Sequence, residues 1–241
     1  MVDLYTLMGD KYIESFDEKS IMIHRILSYK SIEYKNNVVT LESLRKTKGN
    51  SIGVFPMIKS EERVYHTLDN FYEFLINYPP MISKGNKKSF AEKQLMQWAL
   101  DSLSKKVRYF LLIEPDNWKK LEAYLESMYG PEKKGGVLDN IRNVSKVVYK
   151  NSLFSRMHYE AKLDALCSDL LMIDEMASKN DFLMGSDLCL ADFAVFSVLH
   201  LLMHQFITEM SVFNSRFLNL ERWALNMEQL SKGAFTKPIG I

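Results

Sequence analysis

Apolar positions along this chain follow two rhythms, and the change between them falls near Tyr78. Ahead of it the segments are short and mixed. Val2-Asp3-Leu4-Tyr5-Thr6-Leu7 is a β-prone run. Between Glu18 and Ser31, the residues Ile21, Ile23, Ile26 and Leu27 return near helical spacing and predict a helix. Ile32 to Val39 alternates loosely and is rich in β-branched residues, which predicts a second strand. Phe55 to Lys59 and Arg63 to His66 predict two more strands around the charged turn Ser60-Glu61-Glu62. Leu68, Phe71, Tyr72, Leu75 and Ile76 then mark an amphipathic helix. The order is β-α-β followed by β-β-α.

Tyr78-Pro79-Pro80 ends this pattern, because proline cannot continue a helix and two in succession force extended chain. The expected domains are therefore residues 1–78 and 79–241. Beyond the break the period is helical throughout. Ser89 to Ile113 predicts one long helix, with Leu95, Trp98, Ala99, Leu103 and Val107 on one side. Asn117 to Met128, Val137 to Lys150 and His158 to Met176 predict further helices. Cys189 to Phe206 is apolar on every side and belongs at the centre of a helical core, and Phe217 to Leu230 closes the series.

Composition narrows the function classes. Hydrophobic residues at 47% and charged residues at 25% are globular values and exclude a disordered chain. Lys+Arg at 31 against Asp+Glu at 30 leaves a net charge of +1, so no global field favours nucleic acid or an anionic membrane. Two cysteines, Cys167 and Cys189, make neither a disulfide framework nor a four-cysteine metal site, and a reducing compartment follows. The start of the sequence lacks the basic, then apolar, pattern of a secretion signal. The apolar run Phe193 to Ile207 falls short of the ~20 residues a membrane span requires. The expectation is a cytoplasmic protein without a membrane span and without direct nucleic-acid contact.

Two local segments carry a resemblance. Gly53-Val54-Phe55-Pro56-Met57-Ile58 is similar to the G-x-V-P-x-L segment of glutathione transferases, where a cis-proline opens the third strand. Phe182-Leu183-Met184-Gly185-Ser186-Asp187-Leu188-Cys189-Leu190-Ala191-Asp192-Phe193 resembles their F-L-x-G-x-x-P-S-x-A-D-I motif. There a Ser or Thr caps the central helix and the Asp three residues on returns the bond, a capping box. Asp192 fills the acidic position. Cys189 stands at the cap, where a thiol is a poor acceptor, and the cap should be weaker by about 1 kcal/mol. Leu188 replaces the usual proline. With the element order, the chain resembles a glutathione transferase. The implied fold is a thioredoxin-like β-α-β-β-β-α domain followed by an all-α domain.

The resemblance implies a site. A hydroxyl or thiol near the first strand and helix would hold the sulfur of glutathione as thiolate. Tyr5, by strand position, and Ser15 and Ser20, near the helix start, are the candidates, with strand packing and helix capping as their alternative roles. The position of the helix N-terminal cysteine or serine falls on Asp17, whose charge would oppose a thiolate. Phe55 ahead of Pro56 would pair its backbone with the cysteinyl part of glutathione. His66 and Thr67 fall where the family places an acid and a hydroxyl for the γ-glutamyl end; Thr67 can supply the hydroxyl, but a histidine cannot face an ammonium as a carboxylate does.

Glutathione as co-substrate, a small hydrophobic electrophile and a two-fold homodimer follow from the same resemblance. So does an alternative, a binding or regulatory protein that kept the fold without the chemistry, as in stringent-starvation-like or metaxin-like proteins, with a protein partner. His200 and His204 are spaced i, i+4 but lack a third ligand, and read as core or rim histidines with no metal. Arg45-Lys46-Thr47-Lys48-Gly49 reads as a solvated loop, or as a contact for a glutathione carboxylate.

Overall fold

The structure, a computed structural model, describes residues 2–7, 17–39, 56–77, 86–129, 139–203, 207 and 216–231. Four strands, β1 (Val2–Leu7), β2 (Tyr34–Val39), β3 (Met57–Ser60) and β4 (Arg63–Tyr65), form one sheet in the order β2-β1-β3-β4. β1 and β2 are parallel and joined through helix α1 (Glu18–Tyr29), a βαβ unit. β3 runs antiparallel to β1, β4 antiparallel to β3, and α2 (Leu68–Asn77) follows. Among the described residues the elements run in the expected β-α-β-β-β-α order, a thioredoxin-like arrangement.

The pleat sorts the strand residues. Val2, Leu4 and Thr6 are buried and alternate with Asp3 and Tyr5, which are half-buried. Leu4 lies opposite Ile58, and both join one core with Ile21, Ile26 and Leu27 of α1 and Phe71 and Leu75 of α2. Tyr5 therefore stands on the other face of the sheet.

α1 ends with Ser31 in the left-handed region at φ 52°. Ile32 N–H donates to the Leu27 carbonyl and Ser31 N–H to that of Ser28, both at 2.9 Å. That is a Schellman motif with serine where glycine is usual. The same turn points Lys30 inward, where its Nζ donates to the Leu75 carbonyl in the last turn of α2 at 2.5 Å.

The rest of the described chain is helical: α3 (Asn86–Trp98), a π turn (Ala99–Leu103), α4 (Ser104–Leu112), α5 (Pro115–Tyr129), α6 (Asp139–Tyr149), α7 (Leu153–Arg156), α8 (Tyr159–Lys179), α9 (Leu190–Met203) and α10 (Leu218–Ser231). The single helix expected over 89–113 is divided by the π turn, whose extra residue shifts the helical register while Leu103, Val107 and Phe110 stay buried. α7 gave no periodic signal because it is one turn, held by Ser155 N–H donating to Ser152 Oγ at 3.1 Å. All but the last residue of α9 are buried, and α9 packs against α1, α3, α4 and α10. The expected domain boundary at 78/79 lies outside the described residues.

Candidate functional site

The register gathers the sequence-predicted residues at one edge of the sheet. Tyr5 pairs with Met57, and Ile58 pairs with Tyr65. Pro56 is the residue before β3, and His66 and Thr67 follow β4, so all lie with Tyr5 towards the C-terminal ends of β1 and β4. α2 begins at this edge, and α1, which returns antiparallel to the strands in a βαβ unit, begins there as well. Both helix N-termini at this edge are capped by side chains, α1 by Asp17 and α2 by Thr67. Pro56 is buried, whereas His66 and Thr67 are exposed. Phe55 and Ser15 lie outside the described residues, as does the Arg45–Gly49 segment.

Thr67 caps α2. Its Oγ1 accepts the Asn70 N–H at 3.2 Å, which leaves the hydroxyl proton available to a ligand. Asp69 sits in the first turn and pairs with Lys93 of α3 at 3.7 Å, while its side chain remains 89% exposed.

The N-terminus of α1 is organised differently. Asp17 is the N-cap, and its Oδ2 accepts both the Ser20 N–H at 2.9 Å and the Ser20 hydroxyl at 2.8 Å. Ser20 is fully buried, with its proton directed at that carboxylate. The other Asp17 oxygen accepts from Arg108 Nη2 of α4 at 3.2 Å. The same guanidinium donates to Glu18 Oε2 through Nη2 at 2.6 Å and Nε at 2.9 Å, and Ser104 Oγ donates to Glu18 Oε1 at 2.5 Å. Both carboxylates are thus held between α1 and α4. Burial, and then the neighbouring Glu18 charge, push the Asp17 carboxyl above its ordinary value, opposed by Arg108 and the Ser20 bonds. Burial also raises Tyr149, close to this cluster, to about 12.

Further along α1, Arg25 Nη1 meets Glu228 Oε2 of α10 at 3.2 Å and donates to Ser231 Oγ at 3.3 Å, with its guanidinium 5.4 Å from the Phe196 ring centre. Two arginines therefore fasten α1 to the helical part of the molecule. Sequence reading missed both, since Arg108 and Arg25 carry no local motif. His200 is buried, its ring 5.5 Å from Phe196 and its Nδ1 3.7 Å from Glu228 Oε2, and His204 lies outside the described residues. Among the described residues no group of three metal-ligating side chains is present, and no helix is long and apolar enough to cross a membrane.

At the start of α9 the capping box is present with a changed chemistry. Asp192 Oδ2 accepts the Cys189 N–H at 3.0 Å and the thiol at 3.1 Å, and Oδ1 accepts from Leu183 N at 2.9 Å and Trp223 Nε1 at 3.2 Å. The Cys189 thiol donates to the Asp192 carboxylate, and the Asp192 N–H bonds the Cys189 carbonyl at 3.2 Å. Glu92 of α3 makes up the difference: its Oε1 accepts the Leu190 N–H at 2.7 Å, and its Oε2 accepts the Tyr72 hydroxyl of α2 at 3.2 Å. Burial, followed by Asp192, raises the Cys189 thiol far above its ordinary value.

No protein-family profile and no curated protein sequence matches the chain. Solved structures do. A glutathione transferase of Phanerochaete chrysosporium matches at TM-score 0.65 and 18% identity, over 100% of this chain and 98% of that one. A glutathione S-transferase of Rhodospirillum rubrum matches at 0.64 and 16%, over 100% and 94%. A glutathione S-transferase of Methylobacillus flagellatus, solved with glutathione bound, matches at 0.59 and 15%, over 99% and 100%. The chain has the glutathione transferase fold: a thioredoxin-like part followed by a helical part.

Proposed function

We propose that this protein uses the glutathione transferase fold to bind a partner or ligand and does not activate a thiol at the N-terminus of α1. One observation carries the reading: the residue at the helix start is Asp17, a buried carboxylate bonded to Ser20 and Arg108. A thiolate brought there would meet two negative groups, Asp17 and Glu18, already sharing one guanidinium. The protein is taken to be a cytoplasmic homodimer, divided at 78/79, which sedimentation and limited proteolysis would check.

A second reading is favoured by Thr67, whose exposed hydroxyl caps α2 at the edge marked by Pro56. In it the backbone of Phe55 and the Thr67 hydroxyl hold glutathione beside Pro56 and His66, and Tyr5 or Ser15 activates the sulfur for attack on a small hydrophobic electrophile. The two readings separate in a conjugation assay with glutathione and an activated chloroarene. Under the first, the rate stays at the uncatalysed background, and Tyr5→Phe, Ser15→Ala, Ser20→Ala and Thr67→Ala leave it there. A rate above background that falls in Tyr5→Phe or Ser15→Ala establishes the second.

A further inference from the structure

A small cavity lies between the end of α8 and the first half of α10. Its volume is about 240 Å³, and Ala177, Asn180, Asp181, Arg222, Trp223 and Asn226 line it. Arg222 and Asn226 are spaced i, i+4, so both stand on one side of α10. Ala177 is fully buried and Trp223 is 2% exposed, with its indole Nε1 donating to Asp192 Oδ1 at 3.2 Å. Asn180 is the C-cap of α8, and the mutual backbone bonds of Phe182 and Gly185, at 3.1 and 3.2 Å, pin the chain directly after Asp181. Arg222 Nη2 donates to the Ala177 carbonyl at 2.9 Å, which ties the guanidinium to the cavity wall and leaves most of its five N–H donors unspent.

Asp181 and Arg222 bring opposite charges to this one cavity without forming an ion pair with each other. Among the described residues, the Asp181 carboxylate and the Asn180 and Asn226 amides have no side-chain hydrogen bond either. We propose that the cavity binds a small zwitterion, a free α-amino acid. A simple anion would gain from Arg222 and be opposed by Asp181, and a simple cation would meet the reverse. A molecule carrying both charges satisfies both walls. Its carboxylate suits the guanidinium fork. Its ammonium suits Asp181 and the end of α8, whose last carbonyls carry the negative pole of the helix. Asn180 and Asn226 complete the set, since an amide both donates and accepts. Size limits the side chain: the cavity is smaller than the roughly 300–1,000 Å³ of drug-sized sites, so a short side chain fits against Ala177 and Trp223 and a tripeptide does not. This inference stands on elements other than the sheet edge and holds or fails independently of the thiol chemistry there.

The test is saturation-transfer NMR of the full chain with glycine, L-alanine and L-serine, followed by calorimetric titration of whichever binds. A dissociation constant of about 1 mM is expected, in keeping with so few ligand atoms. Acetate and methylamine, which carry one charge each, should bind at least tenfold more weakly. Asp181→Asn and, separately, Arg222→Gln should each weaken amino-acid binding at least tenfold without changing the circular dichroism of the free protein. Asp181 is exposed and makes no bond to the fold, so its variant tests the site even where loss of the Ala177 contact disturbs the other. The proposal is overturned if none of the three amino acids binds, if acetate or methylamine binds as tightly as they do, or if Asp181→Asn leaves the affinity unchanged.

Discussion

A carboxylate at a helix N-terminus is ordinarily a surface feature, solvated on one side and facing amide donors on the other. Asp17 keeps the amide contact but is buried, with Glu18 next to it and one arginine between them. A carboxyl held above its ordinary value binds its proton more tightly in the folded state than in the unfolded chain. Its contribution is complete below the ordinary value of 3.8 and is lost as pH rises through the raised one. Asp17→Asn keeps an acceptor for Ser20 and removes this titration. Its thermal stability relative to the parent should therefore increase as pH is raised from the acid range to neutrality. Arg108→Met does the reverse by leaving two buried carboxylates without their cation. A loss of about 2–3 kcal/mol in denaturant unfolding is expected at neutral pH, limited by the partial solvent exposure of the guanidinium.

Helix termini decide more of the architecture than helix interiors do. At the end of α1, Ser31 holds a left-handed conformation that glycine adopts without a Cβ penalty. Ser31→Gly should raise stability by up to about 1 kcal/mol, read as an increase in the denaturation midpoint at unchanged slope. At the start of α9 the weaker cap expected from Cys189 is compensated from another element. Glu92 is buried and serves both Leu190 and Tyr72. Glu92→Ala should lose about 2–3 kcal/mol, because it leaves an amide and a hydroxyl without their acceptor. Cys189→Ser should shift stability by no more than about 1 kcal/mol, since the added hydroxyl acceptor has little left to satisfy. If the serine variant moved stability more than the alanine variant, the assignment of the cap to Glu92 would be wrong.

Across the whole molecule, the fold was legible where local chemistry and pattern agreed. Asp192 and the largely apolar segment Cys189 to Phe206 announced the central helix, and the β-α-β then β-β-α order of the described elements appeared from spacing alone. The π turn was not legible, because a single extra residue leaves the apolar spacing nearly helical. Neither were Arg108 and Glu92 as partners of Asp17, Glu18 and Leu190, for those pairs are separated by 90 residues or more and have no short-range signature. The candidate edge was readable as far as Tyr5, Pro56, His66 and Thr67, which the register brings to one side of the sheet. What the sequence left undecided was whether Ser20 faces a ligand. In the fold its hydroxyl is turned into the Asp17 carboxylate.

The central claim is that the N-terminus of α1 serves to join two parts of the molecule and does not hold a thiolate. Its most direct test is the ultraviolet absorbance of the thiolate while the protein is titrated with glutathione at neutral pH, beside Asp17→Ser and Asp17→Asn. The account predicts no thiolate band with the parent protein even at ~10 mM glutathione, where a millimolar site would be mostly filled. A saturable thiolate band in the parent, lost in Tyr5→Phe or Ser15→Ala and unaffected by the Asp17 variants, would contradict it.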